Sequence, residues 1–246
     1  MPKLLTKQEL QARFDAKFPM SRVQLQELFP NYNLTDEQFR YLKKGIRNIL
    51  VFDIEATGFD ARMGFIICWW ALKVDVLTGK QEMVYDTVQE DDMKKGYNTK
   101  NFDFDQRLLQ TITEELRNAD LVTGHYITKY DLPYIEARCL LTKQDNLMPD
   151  YEDKIYVFDT WRATKQKLNL YNSGGNSLRN AGYIIAGYDD KTSVDLDIWK
   201  TMYYVSHPKW RKYRKYINEH CEIDVQQNWD VYRRLSRRMP IGGGRV

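Results

Sequence analysis

Two carboxylates stand two positions apart at the end of an apolar run, in the sequence ILVFDIEATGFD at residues 49–60. The residues around Asp53 and Glu55 are mostly β-branched or large and apolar, which is the composition of a buried strand. Because residues i and i+2 of a strand project to the same face, both carboxylates are expected in one small volume. Burying two carboxylates is costly without a cation, and Mg²⁺ or Mn²⁺ suits an all-oxygen site. The motif alone predicts either a metal site or a solvated strand end.

Two further acids lie where a structural role is not the obvious one. Asp131, in GHYITKYDLPYI, follows a predicted strand and loop and begins a predicted helix, so it is either a helix N-cap or a site residue. Asp224, in NEHCEIDV, lies four residues after His220 on the same face of the last predicted helix. That face is either solvated or, as the apolar neighbours Ile217 and Cys221 indicate, packed against the core. A histidine one turn from an acid can act as a general base beside a metal.

Together, the segments FDIEATG, YDLPYI and HCEID resemble, in order and approximate separation, the three exonuclease motifs of the DEDD 3′–5′ exonuclease superfamily, which has a ribonuclease H-like fold. The middle motif most resembles the proofreading domain of family B DNA polymerases. The similarity covers 47–235, where FDTWR and NSLRNAGY also resemble parts of that domain. A chain of 246 residues has no room for a polymerase, so the resemblance implies a free-standing nuclease.

The resemblance also implies roles for individual residues. Asp53, Glu55, Asp131 and Asp224 would hold two divalent metal ions, Mg²⁺ or Mn²⁺. His220 would orient or deprotonate the attacking water. Histidine has a reference pKa of about 6.5, so its neutral ring can accept a proton near neutral pH. Two-metal sites hold their ions about 3.5–4 Å apart and stabilise the attacking and the leaving oxygen of a phosphodiester.

Two positions depart from the family pattern. The family's usual bases are a tyrosine four residues before the last acid or a histidine five residues before it, whereas His220 is a histidine in the tyrosine position. Tyr126 stands where the middle motif often carries an asparagine. The first departure leaves open whether His220 or another group activates water, and the second predicts altered substrate contacts.

A nuclease must also hold the end of its strand. Thr57 and Gly58 follow the two acids and are predicted to offer a hydroxyl and backbone N–H groups near the terminal nucleotide. Phe59 and Tyr130 are candidates for stacking on a base, with core packing as the alternative. The basic and aromatic cluster at 209–215 is predicted to contact phosphates, with a solvated helix face as the alternative.

The resemblance therefore implies a metal-dependent 3′–5′ exonuclease that releases nucleoside 5′-monophosphates, with single-stranded DNA ends as the favoured substrate. An RNA exonuclease or a structure-selective nuclease on the same fold is one alternative. A non-catalytic nucleic-acid-binding protein is another. Patterns in the sequence do not separate DNA from RNA, because recognition of the 2′-OH depends on pocket geometry.

The elements that must position these residues follow from the hydrophobic pattern. Apolar runs predict strands over 49–55, 64–75, 82–88, 121–123 and 155–159. The second and third of these, joined by a turn at 77–80, form an antiparallel meander. Helices are predicted over 104–118, 132–141, 177–185 and 208–237, the last as one helix or two. The polar segment 91–101 is predicted to be a loop. This order indicates an α/β fold with a mixed sheet, antiparallel meander plus parallel strands, flanked by helices.

The chain is predicted to contain an exonuclease domain over 47–238. Residues 1–46 are predicted to form a small helical segment that packs on this domain or binds a protein partner. Residues 239–246 are predicted to form a tail.

Composition and charge bound the remaining possibilities. Net charge is 37 − 34 = +3, too small to require a polyanionic partner. The three cysteines are odd in number and far apart, which indicates a reducing compartment. With no secretory signal and no apolar run long enough to cross a bilayer, the protein is predicted to be soluble and cytoplasmic.

Overall fold

A mixed β-sheet lies at the centre of the fold. The computed structural model describes residues 5–99, 103–147, 155–168, 176–188 and 195–239, and within them five strands pair in the order β3-β2-β1-β4-β5. The strands are β1 Asn48–Ala56, β2 Ile66–Asp75, β3 Gln81–Thr87, β4 Leu121–Gly124 and β5 Tyr156–Asp159. β1, β2 and β3 pair antiparallel, whereas β1, β4 and β5 run parallel. The predicted ribonuclease H-like mixed sheet with its antiparallel meander is confirmed.

The position of β1 in the middle of the sheet explains its apolar composition. Residues 49–52 are all buried, because β1 has a strand on each side and packed layers on both faces. Asp53 and Glu55 come at the end of the strand, where it is half-buried. The carboxyl ends of the parallel strands β1, β4 and β5 meet at one edge of the sheet, which is where α/β sheets place their ligands.

Within 5–47, the described residues before the sheet, lie three short helices: α1 Lys7–Asp15, α2 Arg22–Leu28 and α3 Asp36–Leu42. Each begins with a capping box, at Thr6, Ser21 and Thr35. Their buried side chains, such as Leu25 and Leu42, share one core cluster with Val51 and Tyr232. The segment therefore packs on the sheet. The binding of a protein partner to 1–46, the domain boundary after 46 and the tail stay predictions; 240–246 lie outside the described residues.

The remaining helices flank the sheet: α4 Glu90–Thr99, α5 Gln106–Arg117, α6 Asp131–Leu141, α7 Thr160–Leu168, α8 Leu178–Ala181, α9 Leu196–Thr201 and α10 Trp210–Ser236. A 3₁₀ turn, Asp145–Leu147, and a π-helical turn, Gly182–Ala186, complete them. The last predicted helix is one continuous element, α10, which packs against β1 and β2. Among the helices described, none is both long and apolar enough to cross a membrane.

The prediction of a loop over 91–101 is wrong, because α4 covers Glu90–Thr99. The polarity of the segment obscured two helix signals. Acidic residues fill its first turn, where they interact favourably with the helix dipole, and the Asp92 carboxylate accepts a hydrogen bond from the Gln89 N–H at 2.8 Å. Met93 is completely buried and anchors the helix to the core. Residues 100 and 101 lie outside the described residues.

Candidate active site

The two acids of β1 face the helices α9 and α10. The Trp199 indole Nε1–H on α9 donates a hydrogen bond to Glu55 Oε2 at 2.8 Å. The Cys221 thiol on α10 lies 3.4 Å from the Asp53 carbonyl oxygen and 3.5 Å from Asp53 Oδ2, and it donates to both. Asp53 and Glu55 therefore project to the same side of the sheet, as strand periodicity predicts.

His220 and Asp224 approach this pair from the middle of α10. The His220 Nε2 atom lies 3.8 Å from Glu55 Oε1 and 3.9 Å from Asp224 Oδ2. His220 is only 2% exposed and Asp224 7%, so this face of α10 is not solvated. The Trp199 ring meets the His220 ring edge-on, with centroids 5.7 Å apart, which fixes the plane of the imidazole. The histidine lies within ion-pair distance of two carboxylates that come from different elements.

Asp131 joins the site from the start of α6. It is 3% exposed, and its Oδ1 accepts a hydrogen bond from the Ile54 N–H at 3.2 Å. Ile54 stands between the two acids of β1, so this bond ties the beginning of α6 to them. Tyr130 occupies the N-cap position of α6 and Asp131 is the first helical residue. The Asp131 carboxylate binds the backbone of β1. The interpretation of Asp131 as the N-cap of α6 is wrong, because Tyr130 holds that position.

Burial raises the pKa of the Asp131 carboxyl to about 7, against an ordinary value of 3.8. Two backbone N–H groups act in the opposite direction, and the negative charges of Asp159 and Asp224 raise the pKa further. Without a cation, Asp131 is therefore partly protonated near neutral pH. A bound cation would favour its ionised form.

This pKa gives a pH-dependent stability prediction. Because the folded-state pKa lies above the unfolded one, ionising Asp131 costs stability, and the loss develops as pH rises from about 4 to about 7. Asp131→Asn keeps an oxygen acceptor for the Ile54 N–H and removes the charge. In EDTA at pH 8 we expect the variant to have a higher free energy of unfolding than the wild type, by about 1–4 kcal/mol. Urea denaturation from pH 4 to pH 8 measures the difference, which should vanish at pH 4. A difference that does not change with pH would contradict the assignment.

Thr57 and Gly58 occupy different environments beside the acids. The Thr57 hydroxyl accepts from the Phe65 N–H at 3.0 Å and donates to the Tyr203 hydroxyl at 2.9 Å, so it faces the interior. A Cβ added at Gly58 would meet no atom within 4 Å, so the space above this backbone is open. A substrate contact from Thr57 or Gly58 stays a prediction.

Phe59 and Tyr130 form an aromatic pair at the rim of the site. Phe59 is 85% exposed, and its ring meets the half-buried Tyr130 ring edge-on with centroids 5.9 Å apart. The Tyr130 hydroxyl donates to the Gly58 carbonyl at 3.3 Å, which holds the ring next to the chain that leaves β1. Phe59 is not a core residue. Stacking of either ring on a base stays a prediction.

The basic cluster at the start of α10 is only partly available to a ligand. Arg211 Nε lies 2.5 Å from Glu90 Oε1, and Arg214 donates to Gln89 Oε1 at 2.8 Å. These two arginines fasten α10 to the start of α4. Lys212 is exposed, and phosphate contact by the cluster stays a prediction.

The sequence analysis did not identify two residues that shape the site. Trp199 contacts Glu55 across 144 positions of the chain, and nothing in its local sequence signals this. Asp159, at the end of β5, is 6% exposed and anchors the loop that leads to Asp131, because its Oδ2 accepts from the Thr128 N–H at 3.1 Å and from the Thr128 hydroxyl at 2.6 Å. The segment FDTWR gave a usable signal, an acid after an apolar run as in FDIE.

In the part of the chain that is described, no three or more His, Cys, Asp or Glu side chains are arranged so that they could hold a metal ion as they stand. Two of the acids are directed to protein donors: Glu55 to the Trp199 indole and Asp131 to the Ile54 amide. The site brings together a histidine and acids from β1, α6 and α10. In the described residues their side chains are not placed to coordinate a metal ion without moving.

Comparison with known proteins finds a similarity of fold. The chain is similar to the family B DNA polymerase from the hyperthermophilic archaeon Pyrobaculum calidifontis, with a TM-score of 0.54 and 13% sequence identity. The match covers 77% of this chain and 24% of the polymerase, so the chain corresponds to a minor part of that protein. No protein-family model matches the sequence, and no curated protein matches it. What the two proteins share is an α/β architecture with a mixed sheet.

Proposed function

We propose that this protein is a divalent-metal-dependent 3′–5′ exonuclease of the DEDD superfamily. It would remove nucleoside 5′-monophosphates from nucleic-acid 3′ ends, with single-stranded DNA favoured. One observation carries the proposal: His220 Nε2 lies 3.8 Å and 3.9 Å from carboxylate oxygens of Glu55 and Asp224, at the end of the central strand. Acids and a base at the carboxyl edge of parallel strands are suited to hydrolysis.

A purely structural role does not explain this cluster well. Burying several carboxylates close together is unfavourable unless they are paired, protonated or bound to a metal. A core without such a function would gain stability by replacing them with apolar side chains of similar volume. The cluster therefore supports a role that requires negative charge at this point.

The donors fit Mg²⁺ or Mn²⁺ in their chemistry. Asp53, Glu55, Asp131 and Asp224 offer hard oxygen ligands. Burial, with a smaller contribution from the charges of Asp159 and Asp224, raises the pKa of Asp131, and a cation would act in the opposite direction. Binding would require side-chain rearrangement, because Glu55 is directed to an indole N–H. Bound cations would supply charge stabilisation to the attacking and the leaving oxygen of a phosphodiester.

The remaining steps belong to side chains of this chain. His220 would accept a proton from the attacking water, and Glu55 and Asp224 would stabilise the imidazolium that results. Trp199 would keep the ring oriented through its edge-on contact. Phe59 and Tyr130 would stack on the terminal base, next to the open backbone at Gly58.

A second candidate function is nucleic-acid binding without turnover. The hydrogen bond from Trp199 to Glu55 favours it, since an indole N–H satisfies one carboxylate without a metal. In such a protein Asp131 would remain partly protonated near neutral pH, and the carboxylate cluster would be a retained feature of the fold.

The experiment that separates the two candidates uses purified protein and 5′-labelled and 3′-labelled DNA and RNA strands, with Mg²⁺, Mn²⁺ or EDTA. An exonuclease should shorten the 5′-labelled strand stepwise and release a labelled monophosphate from the 3′-labelled one, in the presence of metal only. The DNA and RNA arms identify the substrate. Strand binding without cleavage would favour the second candidate. Cleavage in EDTA would contradict the metal-dependent mechanism.

A further inference from the structure

A second aromatic pair lies beside the first, at the same edge of the sheet. Tyr126, in the loop after β4, is 41% exposed, and Trp161, in the first turn of α7, is half-buried. Their rings meet edge-on, with centroids 4.9 Å apart and planes at 71°. The function proposed above assigns no role to either ring. Tyr126 lies in the loop that leads to Asp131, and Trp161 contacts it from α7.

The backbone of this pair is held in place by one buried acid. Asp159 Oδ1 accepts the Tyr126 N–H at 3.1 Å and the Trp161 N–H at 2.9 Å. Tyr126 has φ +69°, in the left-handed region that is uncommon for a bulky residue. Such a conformation persists where the surrounding structure enforces it and is concentrated at functional sites. Asp159 thus fixes the position of both aromatic residues together.

The pair has positive charge around it. The Lys165 ammonium lies 4.8 Å from the centroid of the Trp161 ring, within cation–π distance. Lys129 and Arg162, which flank the pair in sequence, are exposed. Aromatic rings interleaved with cations are the usual surface for single-stranded nucleic acid, where bases stack and phosphates are neutralised. A protein partner would favour a larger and less charged apolar patch.

The geometry of the loop relates the two aromatic pairs. The Tyr126 carbonyl accepts the Tyr130 N–H at 3.0 Å, so the two tyrosines stand one turn apart. Phe59 and Tyr130 lie beside the chain that leaves β1, and Tyr126 contacts Trp161 in the helix that follows β5. Because one helical turn is about 5.4 Å, a strand whose terminal base stacks on the first pair would have a preceding base near the second.

We propose that Tyr126, Trp161 and Lys165 form a second base-binding site, which holds a nucleotide upstream of the 3′-terminal one in single-stranded nucleic acid. The proposal rests on the proposed function for the direction of the strand. Because every base has a stacking face, this site should bind without strong sequence preference. It should also favour unpaired strands, whose bases can leave the stack.

The test measures the binding of 5′-fluorescein-labelled thymidine monophosphate and of a 5′-fluorescein-labelled hexathymidylate by fluorescence anisotropy in EDTA, where turnover does not interfere. Tyr126→Asn removes the ring and suits the left-handed backbone, since asparagine tolerates that region. We expect Tyr126→Asn and Trp161→Ala to raise the Kd of the hexanucleotide about 5- to 100-fold, and Tyr126→Phe to retain the wild-type Kd. The mononucleotide should bind all variants alike, because it is too short to occupy both sites.

Tyr32→Ala is the matched control: Tyr32 is 37% exposed and belongs to the N-terminal helical segment, so its loss should leave both Kd values unchanged. Thermal denaturation of each variant reports whether it folds. Equal losses for both lengths, no loss for either, or no binding of the hexanucleotide by the wild type would overturn the second site. If the wild type binds with the expected length dependence but does not cleave in the strand assay, the exonuclease fails and the second site stands. If the wild type cleaves the strand but the variants bind the hexanucleotide as tightly as the wild type does, the exonuclease stands and the second site fails.

Discussion

Replacing Asp53 with asparagine is expected to lower the rate of strand hydrolysis by about 10³-fold or more, since loss of a metal ligand removes several kcal/mol of transition-state charge stabilisation. Asp53 lies on the central strand, and we propose that it would be one of the ligands of the metal ions. Asparagine has nearly the same volume and keeps an oxygen near the Cys221 thiol, which lies 3.5 Å from Asp53 Oδ2. The fold should therefore be retained. Single-turnover hydrolysis of a 5′-labelled strand in Mg²⁺ measures the rate.

The control for this variant is Asp91→Asn, which removes a carboxylate whose side chain is 93% exposed. Far-ultraviolet circular dichroism and thermal denaturation should show both variants folded. The Asp91 variant should hydrolyse the strand at the wild-type rate. An Asp53→Asn protein that retains more than about a tenth of the wild-type rate, a loss worth less than about 1.4 kcal/mol, would mean that Asp53 is not a metal ligand in the reaction.

Replacing His220 with alanine or glutamine is expected to lower the single-turnover rate by about 10²–10⁴-fold, the usual contribution of a positioned general base. His220 is the imidazole nearest the acids, 3.8 Å from Glu55 Oε1. The wild-type rate should fall toward acidic pH, because a protonated imidazole cannot accept a proton from water. The variants should lack that limb of the pH profile. Glutamine fills most of the space that alanine would leave empty, so agreement between the two variants excludes a packing effect.

His207→Ala serves as the control for His220, because His207 is exposed and lies before α10. Its rate and pH profile should match those of the wild type. If His220→Ala hydrolyses the strand at the wild-type single-turnover rate, another group activates the water. His220 stands at a spacing from Asp224 that is unusual for a histidine in the DEDD superfamily. An unchanged rate would therefore mean that the unusual histidine is not the base.

Local periodicity was enough to predict the main features of the site. The two-residue period of a strand predicted that Asp53 and Glu55 share a face. The four-residue spacing on α10 predicted the same for His220 and Asp224, and buried neighbours such as Cys221 indicated that the face is covered. These inferences needed no tertiary information, because each depends on the geometry of one element.

The features that were missed depend on contacts between distant segments. α4 was predicted as a loop because its composition is polar, and the contacts of Arg211 with Glu90 and of Arg214 with Gln89 come from α10, more than a hundred residues later. Trp199 reaches Glu55 only once α9 has packed beside β1. Asp159 stands in FDTWR, where an acid follows an apolar run, but the backbone N–H groups of Tyr126 and Thr128 that it binds lie more than thirty residues earlier. No periodic pattern in the sequence encodes such pairings.

The claim that these acids form a metal centre is tested most directly by calorimetric titration of the purified protein with Mn²⁺ at pH 7.5, without nucleic acid. The wild type is expected to bind two Mn²⁺ ions per chain. Asp53→Asn should lose at least one of them, and Asp91→Asn should bind both. Absence of Mn²⁺ binding by the wild type, or identical binding by the wild type and Asp53→Asn, would contradict a metal centre at the end of β1.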